Sequence, residues 1–439
     1  MACAKQAKPN LLLILADDWG WGDLGCHGHP YVKTPNIDRL AREGTDFQRF
    51  TVASGVCSPS RAAIMTGHFP ARYNIDGHFA WPQANAQRNM PDWLSTTAPT
   101  LPRFLKPAGY ATAHFGKWHL ANDMIPDSPT PEAYGYDEYG AFNCAGEQMP
   151  VHEDAARAIS FIEKSHRDGK PFFINLWLHE PHTPHHVIPK YRRRFPGLPE
   201  ADNIYASVLS HADDRVGEVL AALDRLGLAK DTLVIFTSDN GPARGRDGEA
   251  LELMYDSATG AGFGIAASKG ITGGRKGYKA TLFEGGIGVP FLASWPGKIA
   301  TGKVDDTTLI SAVDLLPTFC ELAGVPLPGT YQPDGVSQVA ALLGTPAPLR
   351  QRTLFWQIGA KKGSAFHWAS FAVVDGHWKL LVNEDSSRLE LYDLAADPME
   401  GNDLSGANPE IVNELRDKLS QWRASLPPAP TGDVFSAER

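Results

Sequence analysis

Leu11-Leu12-Leu13-Ile14-Leu15-Ala16-Asp17-Asp18 is an apolar run that stops on two carboxylates. A near-continuous apolar run of this length is expected of a strand buried on both faces. The same pattern recurs along the chain. Tyr110–Phe115 leads into Gly116-Lys117-Trp118-His119, and Phe172–Leu178 leads into His179-Glu180-Pro181-His182. Leu233–Phe236 leads into Ser238-Asp239-Asn240-Gly241. Helical patterns separate these runs: Thr34–Glu43, opened by Thr34 and Pro35; Asp154–Ser165, with Ala155, Ile159 and Ile162 in phase; and the long amphipathic Tyr205–Leu226. The alternation predicts an α/β sheet covered by helices. Ligands of such sheets collect beyond the carboxyl ends of the strands, so four polar clusters far apart in sequence are expected to converge on one site.

After Leu349 the character changes. Thr353–Gln357, Ser370–Val374, Trp378–Val382 and Leu389–Asp393 read as short alternating strands, and Asn408–Ala424 as a helix opened by Pro409. This predicts a large α/β domain over 1–349 and a smaller subdomain over 350–439, joined by Thr345-Pro346-Ala347-Pro348 and ending in a Pro-rich tail from Pro427 that wraps the surface. Arg244–Gly277 is a long glycine-rich segment without clear periodicity, as expected of a functional or mobile loop.

Composition bounds the function. The chain has 439 residues, 43% of them hydrophobic and 21% charged, with a net charge of −9, so the whole-chain field favours no nucleic-acid partner. No apolar run is long enough to span a bilayer, and Met1–Pro9 carries no secretory signal pattern. Cys3, Cys26, Cys57, Cys144 and Cys320 are odd in number and widely spaced, which argues against a disulfide framework or a zinc knuckle.

Cys57-Ser58-Pro59-Ser60-Arg61-Ala62-Ala63-Ile64-Met65-Thr66-Gly67 presents a side chain at a helix N-terminus, where free N–H groups and the macrodipole favour an anion. Pro59 suits the first turn and Gly67 the stop. Arg61 falls one helical turn after Cys57. Read by themselves, these residues also suit a capped surface helix with a small buried thiol. Asp17-Asp18 and Asp239-Asn240 offer hard oxygen donors suited to Ca²⁺ or Mg²⁺, or, taken singly, ordinary turns. If Lys117-Trp118-His119 is extended, Lys117 and His119 face the same side.

The stretch Cys57–Gly67 resembles the signature of the type I sulfatases, members of the alkaline-phosphatase-like superfamily, in which this cysteine is oxidised to formylglycine. Gly116-Lys117-Trp118-His119-Leu120, His182-Thr183-Pro184 and Lys279-Ala280-Thr281-Leu282-Phe283-Glu284-Gly285-Gly286 resemble further signatures of that family. So do Pro9-Asn10, Thr34–Leu40, and Leu391-Tyr392-Asp393-Leu394 with Asp397-Pro398. The nearest branch in likeness is the carbohydrate sulfatases such as N-acetylgalactosamine-6-sulfatase. The resemblance implies a large mixed sheet flanked by helices, with a smaller C-terminal antiparallel sheet plus helix. It implies one divalent cation, Ca²⁺ with Mg²⁺ as the alternative, held by Asp17, Asp18, Asp239, Asn240 and the modified Cys57. A thiol is a poor ligand for so hard a metal, which is a physical reason to expect oxidation of Cys57.

The resemblance also implies the roles. The formylglycine hydrate attacks sulfur and expels the alcohol, and re-forming the aldehyde ejects sulfate, a route closed to a serine ester. Arg61 holds the hydrate, Lys117 binds a sulfate oxygen, His119 takes the proton that releases sulfate, His182 contacts sulfate or the leaving oxygen, and Lys279 neutralises the leaving alkoxide. One departure stands out: Gly288, in Ile287-Gly288-Val289-Pro290, occupies a position where the family commonly has arginine. The expected activity is hydrolysis of sulfate monoesters on a sulfated saccharide, acting from chain ends, within the degradation of glycosaminoglycans or sulfated polysaccharides. A phosphate or phosphonate ester hydrolase of the same superfamily is the alternative, and a non-catalytic carbohydrate-binding relic the remote one. Specificity is expected from Tyr73–Trp81, with His78 and Trp81, from His185 and His186, and from Arg244–Gly277. The implied partners are the sulfated carbohydrate and a formylglycine-generating or sulfatase-maturing enzyme. The implied location is periplasmic or secreted.

Overall fold

The computed structural model describes residues 8–246, 248–345, 352–359 and 368–439. Its centre is strand β1 (Asn10–Asp17), in which every residue is buried, as the unbroken apolar run requires. The chain then forms α1 (Pro35–Glu43), β2 (Thr45–Phe47), α2 (Cys57–Thr66), β3 (Ala111–Lys117), β4 (Glu138–Phe142), α3 (Asp154–Arg167), β5 (Phe172–Pro181), α4 (Glu200–Arg225) and β6 (Thr232–Ser238). A hairpin follows, β7 (Leu253–Asp256) and β8 (Gly260–Phe263), and then β9 (Phe291–Ser294) and β10 (Lys303–Asp305).

One sheet of eight strands runs in the order β10-β2-β9-β6-β1-β5-β3-β4. The central strands are parallel: Leu11 faces Phe173 of β5 on one side and Leu233 of β6 on the other. β9 is antiparallel to both its neighbours, so the sheet is mixed. Alternate β1 residues feed two cores. Leu11, Leu13 and Leu15 pack with α2 residues such as Ile64, while Leu12 and Ile14 pack with α3 and α4 residues such as Ile162 and Leu209. At roughly 1.5–3 kcal/mol for each fully buried large aliphatic side chain, this strand is the main apolar anchor of the fold.

A second sheet of four antiparallel strands, β11 (Thr353–Gln357), β12 (Phe371–Asp375), β13 (Trp378–Val382) and β14 (Leu389–Asp393), is covered by α5 (Pro409–Ala424). It shares the core of α2: Trp356 and Trp422 belong to the same apolar cluster as Ile64, and Trp356 Nε1 donates to Val52 O at 2.7 Å. The expected link Thr345–Pro348 and the 349/350 boundary fall largely on 346–351, outside the described residues. The C-terminal tail docks as expected: Asp92 N donates to Val434 O at 2.8 Å, and Trp93 Nε1 to Asp433 O at 3.0 Å.

Two expectations need correction. Arg244–Gly277 is not without regular structure, because it contains the β7–β8 hairpin, closed by antiparallel pairing from Leu253↔Phe263 to Asp256↔Gly260. Lys117-Trp118-His119 is not extended throughout. β3 ends at Lys117 and His119 has φ 51°, a left-handed turn, so the i, i+2 argument fails. Among the described residues no helix is long and apolar enough to cross a membrane.

Candidate active site

The carboxyl ends of β1, β3, β5 and β6 lie together, and α2 points its first residue at them. Asp17 closes β1, and Asp18 turns the chain with φ 67°. α2 starts on Cys57, is buried along its whole length and stops at Gly67, whose φ of 65° suits glycine and whose N–H donates to Ala63 O at 2.8 Å. Cys57 Sγ sits 3.5 Å from Asp17 Oδ1 and 3.9 Å from Lys117 Nζ. Burial pushes its thiol well above the ordinary cysteine range, against the pull of Lys117 and Lys279. Cys57 is therefore a neutral thiol, unsuited to nucleophilic attack as it stands.

Lys117 Nζ bonds Asp17, and Lys279 Nζ reaches Asp18 at 2.7 Å. Arg61 is wholly buried. Its Nε and Nη2 donate to Asp239 Oδ2 at 2.9 and 2.6 Å, its Nη1 donates to Lys117 O at 2.9 Å, and the guanidinium lies 5.0 Å from the Trp177 ring centre. Asp239 Oδ1 accepts the Asp18 N–H at 3.2 Å. Burial raises the Asp239 carboxyl to about 6. His119 is buried; its Nε2 lies 3.1 Å from Phe79 O while Nδ1 has no hydrogen-bond partner, and burial holds its pKa well below the usual imidazole range. His182 is partly exposed, with Nε2 3.9 Å from Asp18 Oδ2.

A hard divalent cation fits this donor set. Donor atoms of Asp17, Asp18, Cys57 and His182 lie within 4.8 Å of one another, and the buried Asn240 Oδ1 has no hydrogen-bond partner while its Nδ2 donates to Asp18 Oδ1 at 2.7 Å. Asp17, Asp18 and Asp239 supply three carboxylates against the three cations Lys117, Lys279 and Arg61, so an added divalent ion would leave the pocket positive toward an anionic ester. All ten residues expected at the site are therefore brought to one end of the sheet, with Asp239 engaged chiefly by Arg61.

Gly288 finds a physical explanation. A Cβ there would come 2.5 Å from Arg275 Nη1 and 2.9 Å from Glu284 Oε2. The guanidinium beside Glu284 thus comes from Arg275, which lies over the Trp21 ring at 4.6 Å and donates to Gln48 O at 3.0 Å. Sequence spacing missed Arg275, because only the folded loop brings it against Glu284. His185, expected among the specificity residues, is fully buried: its Nε2 meets Ser268 Oγ at 2.9 Å and its backbone pairs with Phe263. It holds the hairpin and does not face substrate. Phe79, whose carbonyl orients His119, lies in the segment Tyr73–Trp81 singled out for specificity, but nothing in the sequence marked its backbone for this role.

The comparisons with known proteins agree with this fold. Residues 9–325 match the family described as Sulfatase, and residues 275–425 match "N-sulphoglucosamine sulphohydrolase, C-terminal". N-acetylgalactosamine-6-sulfatase of Mus musculus is 31% identical, over 94% of this chain and 79% of that protein. Arylsulfatase A of Homo sapiens is 31% identical, over 98% and 90%. The crystal structure of Ps i-CgsB in complex with k-i-k-neocarrahexaose superposes with a TM-score of 0.80 at 26% identity, over 98% of this chain and 96% of that one. The chain therefore belongs to the sulfatase family and hydrolyses sulfate esters.

Proposed function

We propose that this sulfatase releases sulfate from the ends of sulfated saccharides, after Cys57 has been oxidised to formylglycine by a maturing enzyme, and that it works in the periplasm or outside the cell. The observation that carries the reading is the packing of Cys57 Sγ against Asp17 and Lys117 at the buried start of α2, with Lys279 and His182 on the open side. Asp17, Asp18, Asp239 and Asn240 would hold the cation, most suitably Ca²⁺, which supplies Lewis-acid polarisation of the sulfate. The hydrated aldehyde supplies a nucleophilic hydroxyl together with a second hydroxyl through which the sulfated residue is cleared.

The remaining work falls to this chain's own side chains. Arg61, locked by Asp239, Lys117 O and Trp177, fixes the positive wall beside residue 57 without having to reorganise during the reaction. Lys117, buried and charged, binds a sulfate oxygen. Donation from His119 Nε2 to Phe79 O sets the tautomer, leaving the Nδ1 lone pair to take the proton that accompanies sulfate release. Lys279, more exposed at the mouth, meets the oxygen of the departing alcohol.

Asp18→Ala is expected to lose the bound Ca²⁺ and nearly all turnover. Elemental analysis of the purified protein, with chelation and Ca²⁺ add-back, checks it: one equivalent in the parent and a full complement with normal turnover in the variant would overturn the ligand assignment.

The β7–β8 hairpin supports the exo-acting reading. Its backbone pairs with His185 beside His182, and Ser257 Oγ bonds Asp123 on the loop after His119, so it crosses between two walls of the site. Its face presents Leu253 and Tyr255, 72% and 76% exposed. Such a ring offers a sugar a stacking surface. Tyr255→Ala is expected to raise KM for a sulfated oligosaccharide by about tenfold, the loss of roughly 1.4 kcal/mol of contact, while small aryl sulfate turnover stays unchanged. Equal loss of both activities would make the hairpin structural and remove the support for chain-end action.

A further inference from the structure

A second cluster of donor atoms lies behind the catalytic pocket. Glu180, near the end of β5, is buried; its Oε2 is held by Arg215, which also donates to Asp154 Oδ1 at 2.7 Å. Its other oxygen, Oε1, has no well-directed hydrogen bond and is met only by imidazole nitrogens at ion-pair distance. Two imidazoles aim at that oxygen. His152 Nε2 stands 3.2 Å away and His211 Nδ1 3.9 Å away, and both nitrogens are likewise buried without a well-directed hydrogen-bond partner. All three atoms lie within 4.8 Å of one another. The two rings are nearly perpendicular, with centroids 4.4 Å apart.

A buried carboxylate oxygen and two ring nitrogens converge without the directed bonds that normally offset desolvation. A single ion satisfies all three. With bonds of about 2.0–2.1 Å, tetrahedral donors are separated by about 3.3 Å, which His152 to Glu180 matches at 3.2 Å and which His211, at 3.9 Å, would reach by a small closing shift. Two nitrogens and one oxygen suit zinc or a neighbouring transition metal, not calcium. Burial pushes His211 down to about 3, so its ring is neutral at physiological pH, the form that ligates. Arg215 and Asp154 act behind Glu180 to fix the carboxylate. His152 keeps 30% of its side chain exposed, which leaves a path for the ion and room for water as a fourth ligand.

We propose that His152, Glu180 and His211 form a transition-metal site, separate from the cation site at Asp17 and Asp18, that takes Zn²⁺. The site is continuous with the catalytic wall. Rings of His182, His179, His186 and His152 follow one another at centroid distances of 5.8, 5.1 and 5.8 Å. A metal on Glu180 would therefore brace the loop that carries His182, independently of which saccharide is bound.

The test uses the intact protein with excess Ca²⁺ present, so that the hard site is saturated. Zn²⁺ titration by calorimetry is expected to give one tight equivalent. Co²⁺ in its place is expected to give the visible absorption of a four-coordinate nitrogen–oxygen site. His152→Ala, at the partly exposed ligand, is expected to weaken Zn²⁺ binding by about a hundredfold and to abolish the cobalt spectrum, with metal-free thermal stability retained. His211→Ala checks the second ligand in the same way. No uptake by the parent protein, or equal uptake by the parent and His152→Ala, would overturn the proposal and leave an ordinary histidine–carboxylate ion pair.

Discussion

Cys57→Ala is expected to lower kcat/KM on any sulfate ester by at least about a thousandfold, a loss of roughly 4 kcal/mol of transition-state stabilisation. The substitution removes one small buried atom, so thermal stability should change little and the loss can be read as chemistry. Cys57→Ser separates the two halves of the proposal. A serine hydroxyl could take up sulfate, yet it has no second hydroxyl through which to release it, so this variant should trap a covalent sulfated peptide and fail to turn over. Mass spectrometry of the parent should show a Cys57 peptide about 18 Da lighter than the thiol form. Normal turnover by Cys57→Ala, or full activity in a sample whose Cys57 is entirely thiol, would sink the formylglycine reading.

Lys379→Met is expected to destabilise the protein by about 3–5 kcal/mol, the usual consequence of removing one partner from a buried ionic cluster. Lys379, on β13, is wholly buried and bonds Glu284 Oε1 and Glu400 Oε1, each at 2.8 Å. Burial pushes Glu284 up, but the charges of Lys379 and Arg275 outweigh it and hold its carboxyl below the usual range. Burial raises Glu400 to about 7. A carboxyl with a raised folded pKa binds a proton more readily in the folded state, so its ionisation costs stability as pH climbs from the unfolded value toward 7. Without Lys379 Glu284 keeps only Arg275 as counter-charge, Glu400 loses its own, and protonation is the only relief left to Glu400. The loss measured by urea unfolding should thus be larger at about pH 8 than at about pH 5.5. A loss independent of pH would show that packing, not charge, dominates at this position. Glu284 follows the loop that carries Lys279, so activity should fall alongside stability.

Much of this was legible because buried parallel strands write themselves as apolar runs. β1, β3, β5 and β6 were visible as such, with their ends set within a few residues, and α4 was found though it starts at Glu200, not Tyr205. The four strands of the second sheet were visible through alternation. The residues at the strand ends were legible only because a resemblance assigned them; Asp17-Asp18 alone reads equally well as a turn. The β7–β8 hairpin was missed because Leu253 and Tyr255 face solvent and leave no hydrophobic alternation to read. His119 was misplaced because its left-handed backbone has no sequence mark. Arg275 was not visible because only the fold of its loop turns it onto Glu284, and His152 and His211 were not because each meets Glu180 across a long stretch of chain.

The burial of α2 also constrains the order of events in biosynthesis. Cys57 is only 2% exposed, the helix behind it is enclosed by both sheets' shared core, and Gly67 at its far end packs against Tyr331, whose hydroxyl donates to Thr66 O at 2.5 Å. Any catalyst that oxidises this thiol needs the chain around it pulled straight and bare. If Cys57 is converted as proposed, the oxidation has to be completed while the segment is still nascent, because the finished protein offers no handle. On the proposed mechanism a molecule that escapes unconverted stays inactive for its lifetime, and the specific activity of a preparation would record a race between chain closure and modification.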